Sequence, residues 1–230
     1  MSSRDSALPL LEEAYASDTT NLTFARTLSG AYVEAGRMQD ALRVNERLAE
    51  ADPEDDDVRY RLIQLYARTG ELKKGIDLAT QLQKRFRPMP SAYGQLTKLK
   101  IQLLTLSKDS VAVEREYHTW ADLYPDDRRP YYDWILHLLE TGGIEVAERQ
   151  LTTDTRRGRI SLGDATALRV HKYIFLKDYA AAEAELVRLT PDRKIGADEK
   201  LTLWLLLTKA AQGSEGYTAG KYTPHIADLL

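Results

Sequence analysis

The chain has 230 residues, 43% of them hydrophobic and 29% charged, so it is able to bury a core and stay dissolved. Its formal net charge is −3, from 32 basic and 35 acidic residues, which argues against a general nucleic-acid binder. It contains no cysteine, which excludes disulfides and thiolate metal sites.

The N-terminus, Met1-Ser-Ser-Arg, lacks the basic start and apolar core of a signal peptide. No window approaches the ~18 apolar residues of a membrane span. The expected compartment is the cytoplasm, or the periplasm if the sequence is a fragment. Residues 1–21 read as a lone capping helix or half repeat, around Leu11 and Ala14.

A helix follows with Leu22, Ala25, Leu28, Tyr32 and Ala35 at helical spacing, and Gly36 ends it. A second helix carries Met38, Ala41, Leu42 and Leu48 and stops at Asp52-Pro53. Asp55 to Asp57 then offer caps and favourable charge for the next start. The cycle recurs: Leu28, Tyr32, Gly36 and Ala41 return as Leu62, Tyr66, Gly70 and Gly75, each 34 residues on (62 − 28 = 34). A fixed period of this size predicts stacked helical hairpins.

The register slips by four near Arg87-Pro88-Met89-Pro90, where an extended loop or a lengthened third hairpin is expected. Beyond it Leu104 to Leu138 and Val113 to Ala147 restore the 34-residue step, and Tyr173 and Ala182 place a fifth hairpin at about 162–190, ended by Pro191. About five hairpins therefore fill 22–195. A terminal apolar helix occupies 196–212, and 213–230 is loop and tail. The half repeats at the two ends fit either capping helices or an excised piece of a longer array.

The large apolar, small, Tyr, Gly, Ala and Pro marks resemble the tetratricopeptide repeat (TPR) family. Here they are Leu28, Ser29, Tyr32, Gly36, Ala41 and Pro53, and more weakly Leu62, Tyr66, Gly70, Gly75 and Pro88. Lys108 and Lys177 replace the turn glycines of the third and fifth hairpins. The resemblance implies an all-α, right-handed solenoid of antiparallel hairpins whose first helices line a concave groove for a peptide or partner helix. Aligned by the period, Arg26, Tyr60, Lys98 and Tyr132 fall on that lining, joined by Arg61, Gln64, Arg68, Gln102 and Arg129. This basic and aromatic stripe suits an acidic peptide or a free carboxylate, each charge-assisted bond contributing about 1.5–3 kcal/mol. The alternative is a solvated face paired with Glu34, Asp133 or Glu140. The two-carboxylate clamp of one subfamily is not expected, because Gly30 and Arg61 stand at its asparagine places.

No catalytic signature emerges. His118, His137, His171 and His225 are scattered, Gly216 to Lys221 is one residue short of a phosphate loop, and Asp126-Asp127 read as helix-start residues. The basic loop Arg156–Ser161 reads as a solvated turn, with a phosphorylation site or anionic contact as its alternative. No cofactor or metal is expected. The last helix poses a separate question: its run Leu201–Leu207 is apolar nearly all round and must be covered. The tail (Ile226, Leu229, Leu230), a second copy or a further domain are the candidates, with Leu203, Trp204 and Leu207 as the interface. The reading is a non-catalytic interaction scaffold, with a regulatory or targeting segment of a larger protein, or a self-assembling scaffold, as alternatives.

Overall fold

A computed structural model describes residues 7–189, 195–215 and 217–230. The predicted stop at Pro191 lies outside them. Among the described residues there are thirteen helices and no strand. The chain divides into two compact units, residues 1–120 and 121–230, each taken by itself below.

The first unit contains α1 (Ala7–Ser17), α2 (Leu22–Glu34), α3 (Met38–Ala51), α4 (Asp56–Thr69), α5 (Leu72–Arg85), α6 (Pro90–Leu106) and most of α7 (Ser110–Leu123). Consecutive helices from α1 to α6 pack together, and α4 also touches α6. The first helices α2 and α4 start on side-chain caps: Asn21 accepts from the Thr23 and Phe24 amides, and Asp55 from that of Val58. A repeated bond ties α1 to α2 and α3 to α4. The Tyr32 hydroxyl donates to Glu12 at 2.9 Å, and 34 residues later the Tyr66 hydroxyl donates to Glu46 at 3.0 Å. A cation lies over each ring, Arg37 on Tyr32 and Lys74 on Tyr66. Burial, then the Glu46 bond, pushes the Tyr66 phenol up to about 12.

The small residues have a measurable reason. A Cβ on Gly75 would lie 2.9 Å from a Leu103 methyl, and Ala41, at the equivalent place, is fully buried. Of the two forms expected for the register slip, the lengthened third hairpin is the one seen. Pro90 opens α6 at its first position, 34 residues after Asp56 opens α4 (90 − 56 = 34). The additional residues sit in α6, which runs 17 residues against 14 for α4, and in the turn after it.

The turns close alike whatever residue they use. The bonds Arg37 N–H to Tyr32 O, Asp109 to Leu104, Gly143 to Leu138 and Asp178 to Tyr173 all span five residues at 2.8–3.0 Å. Gly36, Gly70 and Gly142 take the required positive φ of 74–85°, and so do Lys108 (60°) and Lys177 (57°). Each lysine is followed by an aspartate that caps the next helix: Asp109 accepts from Ala112 and Asp178 from Ala181.

The second unit holds α8 (Arg129–Glu140), α9 (Ile144–Arg156), α10 (Leu162–Phe175), α11 (Tyr179–Leu189), α12 (Ala197–Ala211) and the short α13 (Thr223–Ala227). Consecutive helices from α8 to α11 pack together, α12 packs on α10 and α11, and α8 touches α10. Asp127 serves the start of α8, accepting from the Arg129 amide at 3.0 Å. The cover over α12 comes from the chain itself. Trp204 is 0% and Tyr222 1% exposed; the His225 ring stacks on Trp204 at 4.4 Å and 6°. Ile226 and Leu229 pack on the same cluster, whereas Leu230 is exposed. Leu203, Trp204 and Leu207 are therefore buried, and of the three covers expected from the sequence the tail is the one seen.

Candidate interaction groove

The face of α2 left open by its hairpin partner carries Arg26, Thr27, Gly30, Ala31 and Glu34. With Leu8, Leu11 and Glu12 of α1, Arg37 and Arg61, these line a concavity of about 820 Å³. A smaller one of about 280 Å³ continues from it between α2 and α4, sharing Gly30, Glu34 and Arg61 and adding Gln64 and Arg68. Gly30 sits where the two meet, with nothing within 4 Å of a Cβ placed there. The wall supplied by α1 is the part that the alignment of first helices misses. Its signal is the Glu12–Glu46 spacing of 34 (46 − 12 = 34), which marks α1 as a full member of the stack.

The predicted stripe separates into two classes. Arg26 pairs with Asp55, the cap of α4. The Val58 amide and Arg26 together hold that carboxyl below its usual range. Arg129 is clamped on Asp127 by three bonds of 2.8–3.0 Å. Tyr132 packs among core residues of the second unit, and burial pushes its phenol up to about 12. These three side chains serve the fold, with Arg26 held by Asp55 and Arg129 by Asp127. Tyr60 is half-buried beside the core cluster around Ile63. Arg61, Gln64, Arg68, Lys98 and Gln102 are exposed. Arg61 has no ion-pair partner among the described residues, and Arg68 reaches only the Met38 sulfur, at 3.8 Å. Lys98 and Gln102 lie further along, on α6.

No cluster of histidines, aspartates and glutamates able to hold a metal occurs among the described residues, nor any helix long and apolar enough to cross a membrane. His137 stacks on Trp134 with centroids 6.0 Å apart, and His225 on Trp204.

A tetratricopeptide repeat family profile matches residues 3–58 and 33–99. Among solved structures, a tetratricopeptide repeat protein from Parabacteroides merdae ATCC 43184 aligns over 99% of this chain and 91% of its own, at 16% identity and a TM-score of 0.53. The chain is a TPR-like repeat protein. A second structure, YrrB, described as a TPR protein with an unusual peptide-binding site, aligns over 88% of this chain and 97% of its own, at 13% identity and a TM-score of 0.41. No curated protein matches the sequence significantly. TPR folds generally mediate protein–protein interaction and are typically non-catalytic, and the all-α hairpin architecture here is of that kind.

Proposed function

We propose that this TPR-like chain is a protein–protein interaction module whose groove over α2 and α4 grips a peptide through its acidic groups. The observation that carries the reading is the pair Arg61 and Arg68. Both are exposed at an open concavity, and neither forms an ion pair among the described residues. Elsewhere in this unit arginines find acids readily, as Arg26, Arg37, Arg43 and Arg85 do. Two unpaired guanidiniums beside a groove offer forked donors to a carboxylate. Gln64 lies between them to meet a peptide backbone, and Gly30 leaves room for a side chain.

Each arginine–carboxylate contact contributes about 1.5–3 kcal/mol. With ordering costs deducted, a few such contacts give micromolar binding, about −8 kcal/mol. The test is an array of twelve-residue peptides graded in acidic content, probed with the full chain. The tightest acidic sequences are expected to lose at least about tenfold in affinity on Arg61→Glu, and again on Arg68→Glu. Binding that is indifferent to acidic content and to both reversals contradicts the reading.

A further inference from the structure

Two first helices carry matching chemistry, α2 in the first unit and α12 in the second. The repeat period assigns their register: Leu207 stands 34 residues after Tyr173, at the place of Tyr32 in α2 (207 − 173 = 34). In that alignment Leu205 stands at the place of Gly30, and Lys209 at that of Glu34. The way first helices meet is seen between α2 and α4. There Gly30, Val33 and Glu34 face Arg61, Gln64, Leu65 and Arg68, which occupy the places of Thr27, Gly30, Ala31 and Glu34.

A helix seated on α2 as α2 sits beside α4 would present its own residues at places 30 and 34. For α12 these are Leu205 and Lys209. Leu205 is 51% exposed, an apolar side chain pointing away from its own core. Opposite it would lie Gly30, with open space over its Cα, and Ala31. Lys209 would meet Glu34; both are exposed, and neither has an ionic partner among the described residues. Shape and charge therefore complement each other along one register.

The tail stands in the way. Trp204 takes the place of Ser29, and Ser29 bonds to Asn45 of its own second helix α3. The Trp204 face is therefore the seat of a second helix, and residues 217–229 fill it. Helix α1 precedes α2 as a second helix precedes the next first helix. In a docked pair, α1 of the arriving copy needs the seat that the tail holds.

We propose that the tail and α1 of a second copy compete for this face of α12, so that freeing the tail joins copies head to tail, α12 of one on α2 of the next. The contact is heterologous, so each added copy leaves a further α2 or α12 face available. It shares Gly30 and Glu34 with the peptide groove but does not use Arg61 and Arg68, so Arg61→Glu separates the two readings.

The experiment uses the full chain carrying Tyr222→Asp, Ile226→Asp and Leu229→Asp, which places charges where the tail meets its apolar cluster. Light scattering is read over a concentration series. The unaltered chain is expected to stay at 26.1 kDa, and the tail variant to at least double its mean mass. Adding Glu34→Lys should return it to monomer, further adding Lys209→Glu should restore assembly, and Arg61→Glu should leave it intact. A tail variant that stays monomeric overturns the proposal. So do assemblies indifferent to Glu34→Lys, which would be unspecific adhesion of the bared Trp204 face, or an unaltered chain that already assembles.

Discussion

The two units reach the same hairpin geometry by different means. In the first, regular marks recur at 34 residues: the Tyr–Glu bonds, the cations over the rings and two glycine turns. In the second, those marks are mostly replaced by aromatic packing around Trp204 and Tyr222, yet the five-residue turn bonds and the fully buried Ala147 and Ala182 persist. What the architecture requires is therefore narrow: a reversal through positive φ and a small residue where helices approach. Tyrosine, glutamate and even glycine are means to those ends. The family profile, which reads residues and not geometry, accordingly matches only as far as residue 99.

The sharpest way to break the first unit is through its buried polar cluster. Lys100 Nζ lies 2.6 Å from Glu116 and 3.2 Å from Gln83, with Thr97 accepting from Gln83 at 2.8 Å. The lysine and glutamate side chains are only 11% and 15% exposed. Lys100→Ala leaves a buried carboxylate without its cation and should cost about 3 kcal/mol in urea unfolding. Lys100→Met with Glu116→Leu should recover most of it, since an apolar pair of similar volume avoids the desolvation penalty.

The turns give the next effect. At Lys108 and Lys177 a side chain is held in the left-handed region, and the following aspartate caps the next helix. Asp109→Ala should destabilise by about 1 kcal/mol. Lys108→Gly, and Lys177→Gly in the second unit, should each stabilise by about 0.5–1 kcal/mol. Equal thermal shifts in the two units would show that the turns are interchangeable. A loss of stability on introducing glycine would show that the lysines do more than tolerate the turn.

A smaller effect distinguishes the second unit. Burial holds His137 and His171 below the ordinary value of 6.5. As pH falls below that value, the unfolded chain takes up protons before the folded one. Stability is therefore complete above the unfolded value and declines as pH falls through the lower folded values. His137→Gln with His171→Gln should flatten the fall in melting temperature between about pH 7 and pH 5.

The fold was legible because its determinants are local. Gly36 and Gly70 announce reversals, Asp55 announces a helix start, and apolar spacing gives the inward faces. The four-residue slip was visible near Pro88 and Pro90, but not which of its two forms it takes: the third hairpin is lengthened, with Pro90 opening a longer helix. Even Lys108 and Lys177 could be placed as turn residues by the period alone. The groove was legible only in part. A period tells which residues share a face, but not which neighbour an arginine will reach. Arg26 and Arg61 look alike in the alignment; one finds Asp55 at the next helix start, and the other finds open groove. The cover on α12 depends on Tyr217, Tyr222 and His225 folding back around Trp204, an aromatic contact with no repeat signature.

The central claim, that α2 and α4 present the recognition surface, is tested most directly by titrating ¹⁵N-labelled chain with the tightest acidic peptide from the array. Amide shifts are expected to concentrate at Gly30, Glu34, Arg61, Gln64 and Arg68. Shifts confined to α3 and α5, with Gly30 and Arg61 unmoved, would contradict it.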